Sequence, residues 1–218
     1  MSLTIDVISD VVCPWCYIGK RRLESALAAL SHSDPGFGAV VNWHPFQLNP
    51  DLPPEGVDRR AYLEAKFGGP ARADEIYARV RAAGDTVGIP FALEKIQRQP
   101  NTLDAHRLIA WAQGQGDAGG LVERLFRAYF LDGRYLGDRA VLAEIAGEAG
   151  LDVTAAAMFL DSGQLTDRIV AMDARARELG VEGVPFFVFG ERVAVSGAHE
   201  PAVLLDAIAQ AREPAEQT

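Results

Sequence analysis

The two cysteines of the chain, Cys13 and Cys16, lie three positions apart and are separated only by a proline and a tryptophan. A β-branched run over residues 4–8 precedes them and predicts a strand, and the spacing of the apolar residues after Cys13 predicts a helix. Pro14 suits the first turn of such a helix, because its missing N–H would have no partner there. The sequence therefore predicts that both sulfurs lie where a strand ends and a helix begins.

A position at a helix start gives the two thiols different roles. Unpaired N–H groups and the positive end of the helix dipole stabilise an anion in the first turn, and the thiolate is the reactive form of cysteine. We expect Cys13 to attack a disulfide, and Cys16, one turn further in, to stay protonated until it resolves the mixed disulfide. Pro14 and Trp15 would tune the pair, and neither adds positive charge beside Cys13.

A Cys-x-x-Cys pair can also serve functions other than redox chemistry. Zinc takes four ligands, and the chain offers only four histidines besides the two cysteines, none of them with the spacing of a zinc finger. A structural disulfide across four residues would restrict the unfolded chain very little. Two inert core cysteines and a zinc-stabilised or redox-sensing interaction module are the alternatives. We expect redox chemistry and no metal.

A second proline lies at a position that matters for a site of this kind. Val184 and Pro185 directly precede an apolar run that predicts a strand. Local sequence alone favours a trans bond at the start of an edge strand, whereas the upstream cysteine pair favours a cis bond, which proline makes inexpensive. If the bond is cis and faces Cys13, the backbone of Val184 could pair with an extended peptide.

The hydrophobic period changes along the chain and divides it into three parts. Residues 1–56 predict a strand–helix–strand unit with parallel strands. Residues 57–162 are mostly helical, and residues 163–218 predict a helix, a β-hairpin and a last helix. The two outer parts make a four-stranded mixed sheet flanked by helices. The sequence thus predicts an α/β fold with a large all-helical insertion.

Charge and hydropathy limit the partners. The 218 residues carry a formal net charge of −9, which disfavours binding to the phosphates of nucleic acid. No apolar run reaches the roughly 18 residues of a membrane span, and the N-terminus lacks the pattern of a secretory signal. We therefore expect a cytoplasmic protein that binds neither nucleic acid nor membrane.

Four motifs of the chain are informative together: Asp-Val-Val-Cys-Pro-Trp-Cys-Tyr-Ile-Gly at 10–19, Phe-Gln-Leu-Asn-Pro at 46–50, Asn-Thr-Leu-Asp-Ala-His-Arg-Leu at 101–108 and Gly-Val-Pro at 183–185. They resemble the DsbA family of thioredoxin-fold oxidoreductases, and within it the FrnE-like branch. That branch is grouped with 2-hydroxychromene-2-carboxylate isomerases and kappa-class glutathione transferases. The resemblance implies a thioredoxin-like fold, Cys13 as nucleophile, Cys16 as resolving thiol and Pro185 as a cis proline.

The predicted function follows from this resemblance and from the positions at which the chain differs from related proteins. The related isomerases and transferases use serine where Cys13 stands, so a cysteine there favours redox chemistry. Some FrnE-like proteins carry a second cysteine pair near the C-terminus, and this chain has none. We predict a thiol–disulfide oxidoreductase or isomerase acting on protein, peptide or glutathione substrates. The alternative is a glutathione-dependent isomerase or transferase of a small aromatic or polyketide-like molecule.

Four further residues are candidates for substrate binding: Val184, His44, Asn101 and His106. His44 lies near the carboxyl end of the second strand, an edge where ligands of α/β sheets bind. Asn101 and His106 would line a cleft between insertion and core, unless Asn101 caps a helix and His106 is a satisfied, partly buried side chain. We expect glutathione or thioredoxin as redox partner, no cofactor other than glutathione as co-substrate, and allow for a homodimer.

Overall fold

A four-stranded sheet with helices on both of its faces forms the centre of the molecule. The computed structural model describes residues 2–214. The strands are β1 (Ser2–Ser9), β2 (Gly38–Pro45), β3 (Val57–Asp58), β4 (Arg98–Gln99), β5 (Phe186–Phe189) and β6 (Val193–Ser196). The helices are α1 (Pro14–Ser33), α2 (Arg59–Phe67), α3 (Pro70–Asp85), α4 (Leu103–Gln113), α5 (Gly119–Phe130), α6 (Arg139–Glu148), α7 (Val153–Asp161), α8 (Thr166–Glu178) and α9 (Pro201–Arg212). Among these helices none is both long enough and apolar enough to cross a bilayer.

The strand order of the main sheet is β2-β1-β5-β6. β1 runs parallel to β2, as a strand–helix–strand unit requires, and antiparallel to β5. β5 and β6 form the antiparallel hairpin that ends the sheet. This arrangement confirms the predicted mixed four-stranded sheet. β3 and β4 form a separate antiparallel pair that the sequence did not predict, because strands of two residues have no hydrophobic period to detect.

The two faces of the sheet are packed differently. Ile5, Val7, Phe187 and Phe189 are buried on the face covered by α1 and α9, and register places Ile5 opposite Phe189 and Val7 opposite Phe187. The opposite face carries a smaller apolar cluster around Ile8, packed against α8. Successive side chains of a strand point to opposite faces, so Ile5 and Val7 lie on one face and Ile8 on the other, and burial alternates along β5.

Aromatic rings pack the segment between β2 and α8 onto α1 and fill its own interior. Tyr17 of α1 stacks on Phe126 of α5 with ring centroids 5.0 Å apart, and Phe91 and Phe130 meet edge to face at 5.3 Å. Such aromatic pairs add about 0.5–1.5 kcal/mol beyond their buried area. The first helix of the core is thereby joined to the helical segment. The third predicted part runs to residue 218, and residues 215–218 lie outside the described residues.

Two polar side chains of α4 connect this helix to its surroundings. Arg107 is buried and donates to the carbonyl of Leu160 in the last turn of α7, 3.1 Å away, and to that of Gln164 beyond the helix, 2.8 Å away. It thus satisfies oxygens that a helix end leaves unpaired. Gln113 uses its amide group on β2, accepting from the N–H of Trp43 at 2.7 Å and donating to its carbonyl at 3.4 Å. These contacts hold α4 against the outer strand of the sheet.

The approach of α1 to β5 is close at one glycine. A Cβ added at Gly19 would stand 2.9 Å from Cγ of Pro185 and 3.1 Å from Cζ of Phe187. A methyl group at this position therefore requires that either the proline or the helix moves. Gly120, near the start of α5, has no heavy atom within 4 Å of the same virtual Cβ and offers a matched control.

We predict that Gly19→Ala lowers the free energy of unfolding by about 1–3 kcal/mol, the cost of overpacking a filled interior. Gly120→Ala should leave it unchanged or raise it by up to about 1 kcal/mol, because alanine restricts the unfolded chain. Urea unfolding of both variants beside the parent protein measures the two values. An equal effect of the two substitutions would contradict the packing described for α1.

Candidate active site

Cys13 occupies the N-cap position of α1, with φ −93° and ψ 112°, and Pro14 follows within the first turn. The N–H of Cys13 donates to the carbonyl of Asp10 at 3.0 Å, and the carbonyl of Cys13 accepts from the N–H of Cys16 at 3.0 Å. The first turn contains no acidic side chain. The Cys13 sulfur thus lies at the positive end of the helix, where a thiolate is stabilised. Trp15 is 39% exposed at the surface beside it.

The chain returns to Cys13 just before β5. The peptide bond between Val184 and Pro185 is cis, and Pro185 is buried. The Cys13 thiol lies 3.5 Å from the carbonyl oxygen of Val184 and donates to it. Two segments 171 residues apart in sequence are therefore in direct contact at the reactive sulfur.

Cys16 is the more enclosed of the two thiols. It is 2% exposed, against 5% for Cys13, and both are free cysteines. Burial, with the adjacent Cys13 as the second cause, raises the pKa of the Cys16 thiol well above its ordinary value of 9.0, and hydrogen bonding to Ser9 and Asp10 only partly offsets this. Cys16 therefore stays protonated at neutral pH. Within residues 2–214 no cluster of three or more His, Cys, Asp or Glu side chains is placed to hold a metal ion.

An active-site cleft of about 320 Å³ opens over Cys13. Its floor is the Cys13–Trp15 segment with Val184, and its walls come from α2, α3 and the loop after β2. Most of the lining is apolar or aromatic. The residues of the cleft are Val12, Cys13, Pro14, Trp15, Leu48, Asn49, Arg59, Tyr62, Leu63, Lys66, Phe67, Ile76, Tyr77, Val80, Gln99, Gly183 and Val184.

Two basic side chains give this cleft a positive charge. Arg59 is 8% exposed, donates to the hydroxyl of Tyr77 at 2.7 Å and to the amide oxygen of Gln99, and has no partner for its Nε. Its guanidinium carbon lies 5.7 Å from the ring centre of Tyr62, in cation–π range. Lys66 donates to the Tyr62 hydroxyl at 2.6 Å. Because these partners are neutral, the charge of Arg59 remains available to an anion in the cleft.

Two of the residues predicted to bind substrate lie away from this cleft. His44 pairs through Nε2 with Asp6 on the neighbouring strand at 2.8 Å. Asn101 accepts from the N–H of Leu103 at 3.0 Å at the start of α4, and donates to the carbonyl of Leu52 at 2.7 Å. The Asn101 side chain thus organises a helix start and a loop. Neither residue lines the cleft around Cys13.

His106 lies behind the cysteine pair and faces a buried carboxylate. It is 4% exposed, and its Nε2 stands 3.3 Å from Oδ1 of Asp10, which is fully buried. The other oxygen of Asp10 accepts from the N–H of Leu48 at 2.8 Å. The separation of His106 and Asp10 is that of an ion pair, but the angles do not make a hydrogen bond, so both atoms lack a hydrogen-bond partner in the protein.

Sequence reasoning missed the roles of Asp10, Arg59 and Lys66. An aspartate in a short connection and basic residues that follow a loop are both typical of solvent-exposed positions. Only the fold brings Arg59 to Gln99, 40 residues away, and Asp10 to His106. The position of Asp10 three residues before Cys13 was the one local signal available.

Comparison with known proteins extends over nearly the whole chain. Residues 4–209 match the model of the DSBA-like thioredoxin domain. The crystal structure of a probable DsbA oxidoreductase from Streptomyces coelicolor is 32% identical, covers 99% of this chain and 94% of its own, and superposes with a TM-score of 0.85.

Two more distant structures share the fold. A 2-hydroxychromene-2-carboxylate isomerase is 19% identical, with a TM-score of 0.68 and 95% of each chain covered. The cytosolic disulfide reductase DsbM from Pseudomonas aeruginosa is also 19% identical, with a TM-score of 0.62 and coverage of 96% of this chain and 95% of its own. DsbM has also been solved with glutathione.

The burial and raised pKa of Cys16 predict selective alkylation. In the reduced protein at neutral pH, iodoacetamide should label Cys13 and leave Cys16 unmodified, because the raised pKa of Cys16 keeps its thiolate fraction small. Labelling of Cys16 should increase only at strongly alkaline pH. Peptide mass spectrometry after timed alkylation measures both sites, and the urea-unfolded protein, in which both should react, is the control. Equal labelling of the two native thiols at neutral pH would contradict the assignment.

Proposed function

The chain belongs to the family of DSBA-like thioredoxin domains, and on this premise we propose that it exchanges disulfides through Cys13 and Cys16. The observation that carries the proposal is the position of the Cys13 sulfur at the start of α1, open to the cleft and 3.5 Å from the Val184 carbonyl. A protonated Cys16 lies one helical turn behind it. This pair has the geometry of an attacking and a resolving thiol.

The proposed reaction has two steps. The Cys13 thiolate attacks one sulfur of a substrate disulfide, and the other sulfur leaves as a thiolate, which forms a mixed disulfide on Cys13. Cys16 then loses its proton and attacks the Cys13 sulfur, which releases the second substrate thiolate and forms the Cys13–Cys16 disulfide. The substrate gains two electrons and the cysteine pair loses two. A second thiol compound, glutathione or thioredoxin, would return the pair to its reduced state.

The cleft supports a small acidic thiol peptide as one partner. Arg59 and Lys66 place positive charge near Cys13 in a chain whose net charge is −9, so an anion would be drawn to this cleft rather than to the surrounding surface. Glutathione carries two carboxylates and a thiol, and the fold neighbour DsbM has been solved with it. We therefore include glutathione or its disulfide as a substrate, and a cytosolic location like that in the name of DsbM.

The alternative activity, isomerisation or transfer on a small aromatic molecule, uses the same cleft. Tyr62, Phe67 and Tyr77 give the cleft aromatic walls, and the isomerase shares the fold. Such a reaction needs glutathione held at the helix start and has no use for a second thiol. The buried Cys16 therefore favours disulfide exchange.

We predict that the two cysteine variants fail at different steps. Cys13→Ser should abolish reduction of a disulfide substrate, because no other thiol reaches the cleft. Cys16→Ser should retain the first step and accumulate a mixed disulfide on Cys13. Turnover coupled to reduced glutathione, together with intact-protein mass, distinguishes the two, and each variant is the control for the other. Full disulfide exchange by Cys13→Ser would reject the proposal, and turnover of a small aromatic substrate by that variant would establish the alternative.

The positive charge of the cleft predicts a preference for anionic disulfides. Arg59→Met and Lys66→Met should raise the KM for glutathione disulfide by about tenfold, which corresponds to 1.4 kcal/mol of lost interaction with a carboxylate. The KM for 2-hydroxyethyl disulfide, which is neutral, should stay unchanged. Arg60→Met is the matched control, since Arg60 is an exposed neighbour on α2 that does not line the cleft. Equal losses for both disulfides would show that the basic residues serve stability alone.

A further inference from the structure

Two neighbouring cavities lie against α8, and neither shares a lining residue with the active-site cleft. The smaller one, which we call the rear cavity, has a volume of about 200 Å³ and lies at the carboxyl ends of β1 and β2 beside α4 and α5. The larger one, which we call the sheet groove, has a volume of about 680 Å³ and runs between α8 and strands β5 and β6. Because His44, Arg168 and Met172 line both, the two cavities form one continuous site of a size typical for small molecules.

The sheet groove is mainly apolar. Phe186 and Val188 lie on the face of β5 opposite the buried Phe187 and Phe189, and they are only half-buried. Leu179, directly after α8, lines the groove and is 67% exposed. Contiguous apolar surface of this kind often marks a ligand-binding groove. The large apolar side chains of the lining are Ile8, Met172, Leu179, Val181, Phe186 and Val188.

The charged groups of the sheet groove are paired or lie at its far end. Asp6 pairs with Nε2 of His44 at 2.8 Å, and Arg175 pairs with Glu178 at 3.2 Å. Glu191 belongs to the turn between β5 and β6, which the register of β1 and β5 places at the end of the sheet away from the rear cavity. The groove therefore has an apolar middle, and Arg168 lies where it joins the rear cavity.

The rear cavity offers hydrogen-bond donors and a positive charge. Arg168 lines it, whereas no aspartate, glutamate or lysine of residues 2–214 does. Trp43 also lines it and is 6% exposed, and its indole N–H, which can only donate, has no acceptor in the described part of the chain. A buried donor without an acceptor costs about 1–3 kcal/mol. The amide of Gln113 is already bound to the Trp43 backbone. An anionic acceptor is the ligand group that fits this lining.

We propose that the rear cavity and the sheet groove together bind an amphipathic carboxylate, such as a fatty acid, with its carboxylate in the rear cavity at Arg168 and its apolar chain in the sheet groove. The Nε2 of His106 already faces the Asp10 carboxylate at 3.3 Å, so the anionic head lies at the Arg168 end of the rear cavity. A second protein chain could cover the groove, but it would leave the donors of the enclosed rear cavity unpaired. A fatty acid satisfies both parts of the site.

The experiment titrates the isotope-labelled, full-length reduced protein with decanoate below its critical micelle concentration and follows the indole N–H signals by nuclear magnetic resonance. The three tryptophans report on different places, because Trp15 lines the active-site cleft, Trp43 lines the rear cavity, and Trp111 stacks on Phe159 outside both. Tryptophan-to-phenylalanine substitutions assign the three signals. We expect decanoate to shift the Trp43 signal in a saturable way and to leave the Trp15 signal in place.

Three variants test the two parts of the site. Arg168→Met should raise the Kd for decanoate about tenfold, which corresponds to 1.4 kcal/mol, and should leave the Kd for uncharged decanol unchanged. Arg79→Met removes the same charge from an exposed position on α3 that lines none of these cavities, and should match the parent protein with both ligands. Ala171→Phe introduces a ring at an exposed position of α8 that lines the groove, and should weaken both ligands alike.

Four results would overturn the inference. A shift of the Trp15 signal in place of the Trp43 signal would show that decanoate binds in the active-site cleft. An unchanged Kd for decanoate in Arg168→Met, or an equal rise in Arg79→Met, would show that Arg168 does not hold the carboxylate. A dimer in sedimentation that Ala171→Phe dissociates would show that a second copy of the chain occupies the groove. None of these measurements uses disulfide exchange, so their outcome is separate from that of the proposed function.

Discussion

The fixed start of α1 is the constraint on which the rest of the structure depends. The N–H of Cys13 donates to the carbonyl of Asp10, and this hydrogen bond closes the turn between β1 and α1. From there the helix is held on two sides, by Tyr17 stacked on Phe126 and by Gly19 against Pro185. The same contacts bring Val184 to the Cys13 sulfur. A helix end stabilises an anion only if it is held still relative to the reacting atoms, and here core packing provides that rigidity.

Different burial gives two chemically identical side chains different roles in the proposed reaction. Cys13 and Cys16 differ in sequence position by less than one helical turn, yet Cys13 lines the cleft and Cys16 is buried outside it. The pKa of Cys16 is raised mainly because a thiolate there would lose its hydration. The resolving thiol is thereby protected from external reagents until a mixed disulfide forms beside it. The loss of hydration that a Cys16 thiolate would suffer therefore explains why Cys13 reacts first in the proposed reaction and Cys16 second.

Much of the fold and part of the site could be predicted from sequence. The parallel unit of β1 and β2 and the hairpin of β5 and β6 follow from hydrophobic period and loop length, which act over a few residues. The cysteine pair at a helix start follows from the same local signals. The burial of Arg59 and Arg107 could not be predicted, because their partners lie 40 and 53–57 residues away. The contact between His106 and Asp10 could not be predicted either, because nothing in the sequence around one residue indicates the position of the other.

The Gln113 contact with Trp43 has a consequence for association between chains. An outer strand with free backbone groups is a template for pairing with another strand, and proteins block such edges in various ways. Here a side-chain amide occupies both the N–H and the carbonyl of one β2 residue, so the carboxyl-terminal end of this edge is closed to a second polypeptide. Any continuous intermolecular sheet would therefore have to grow from β6, the opposite border, which makes filament-like addition on both sides of one molecule unfavourable.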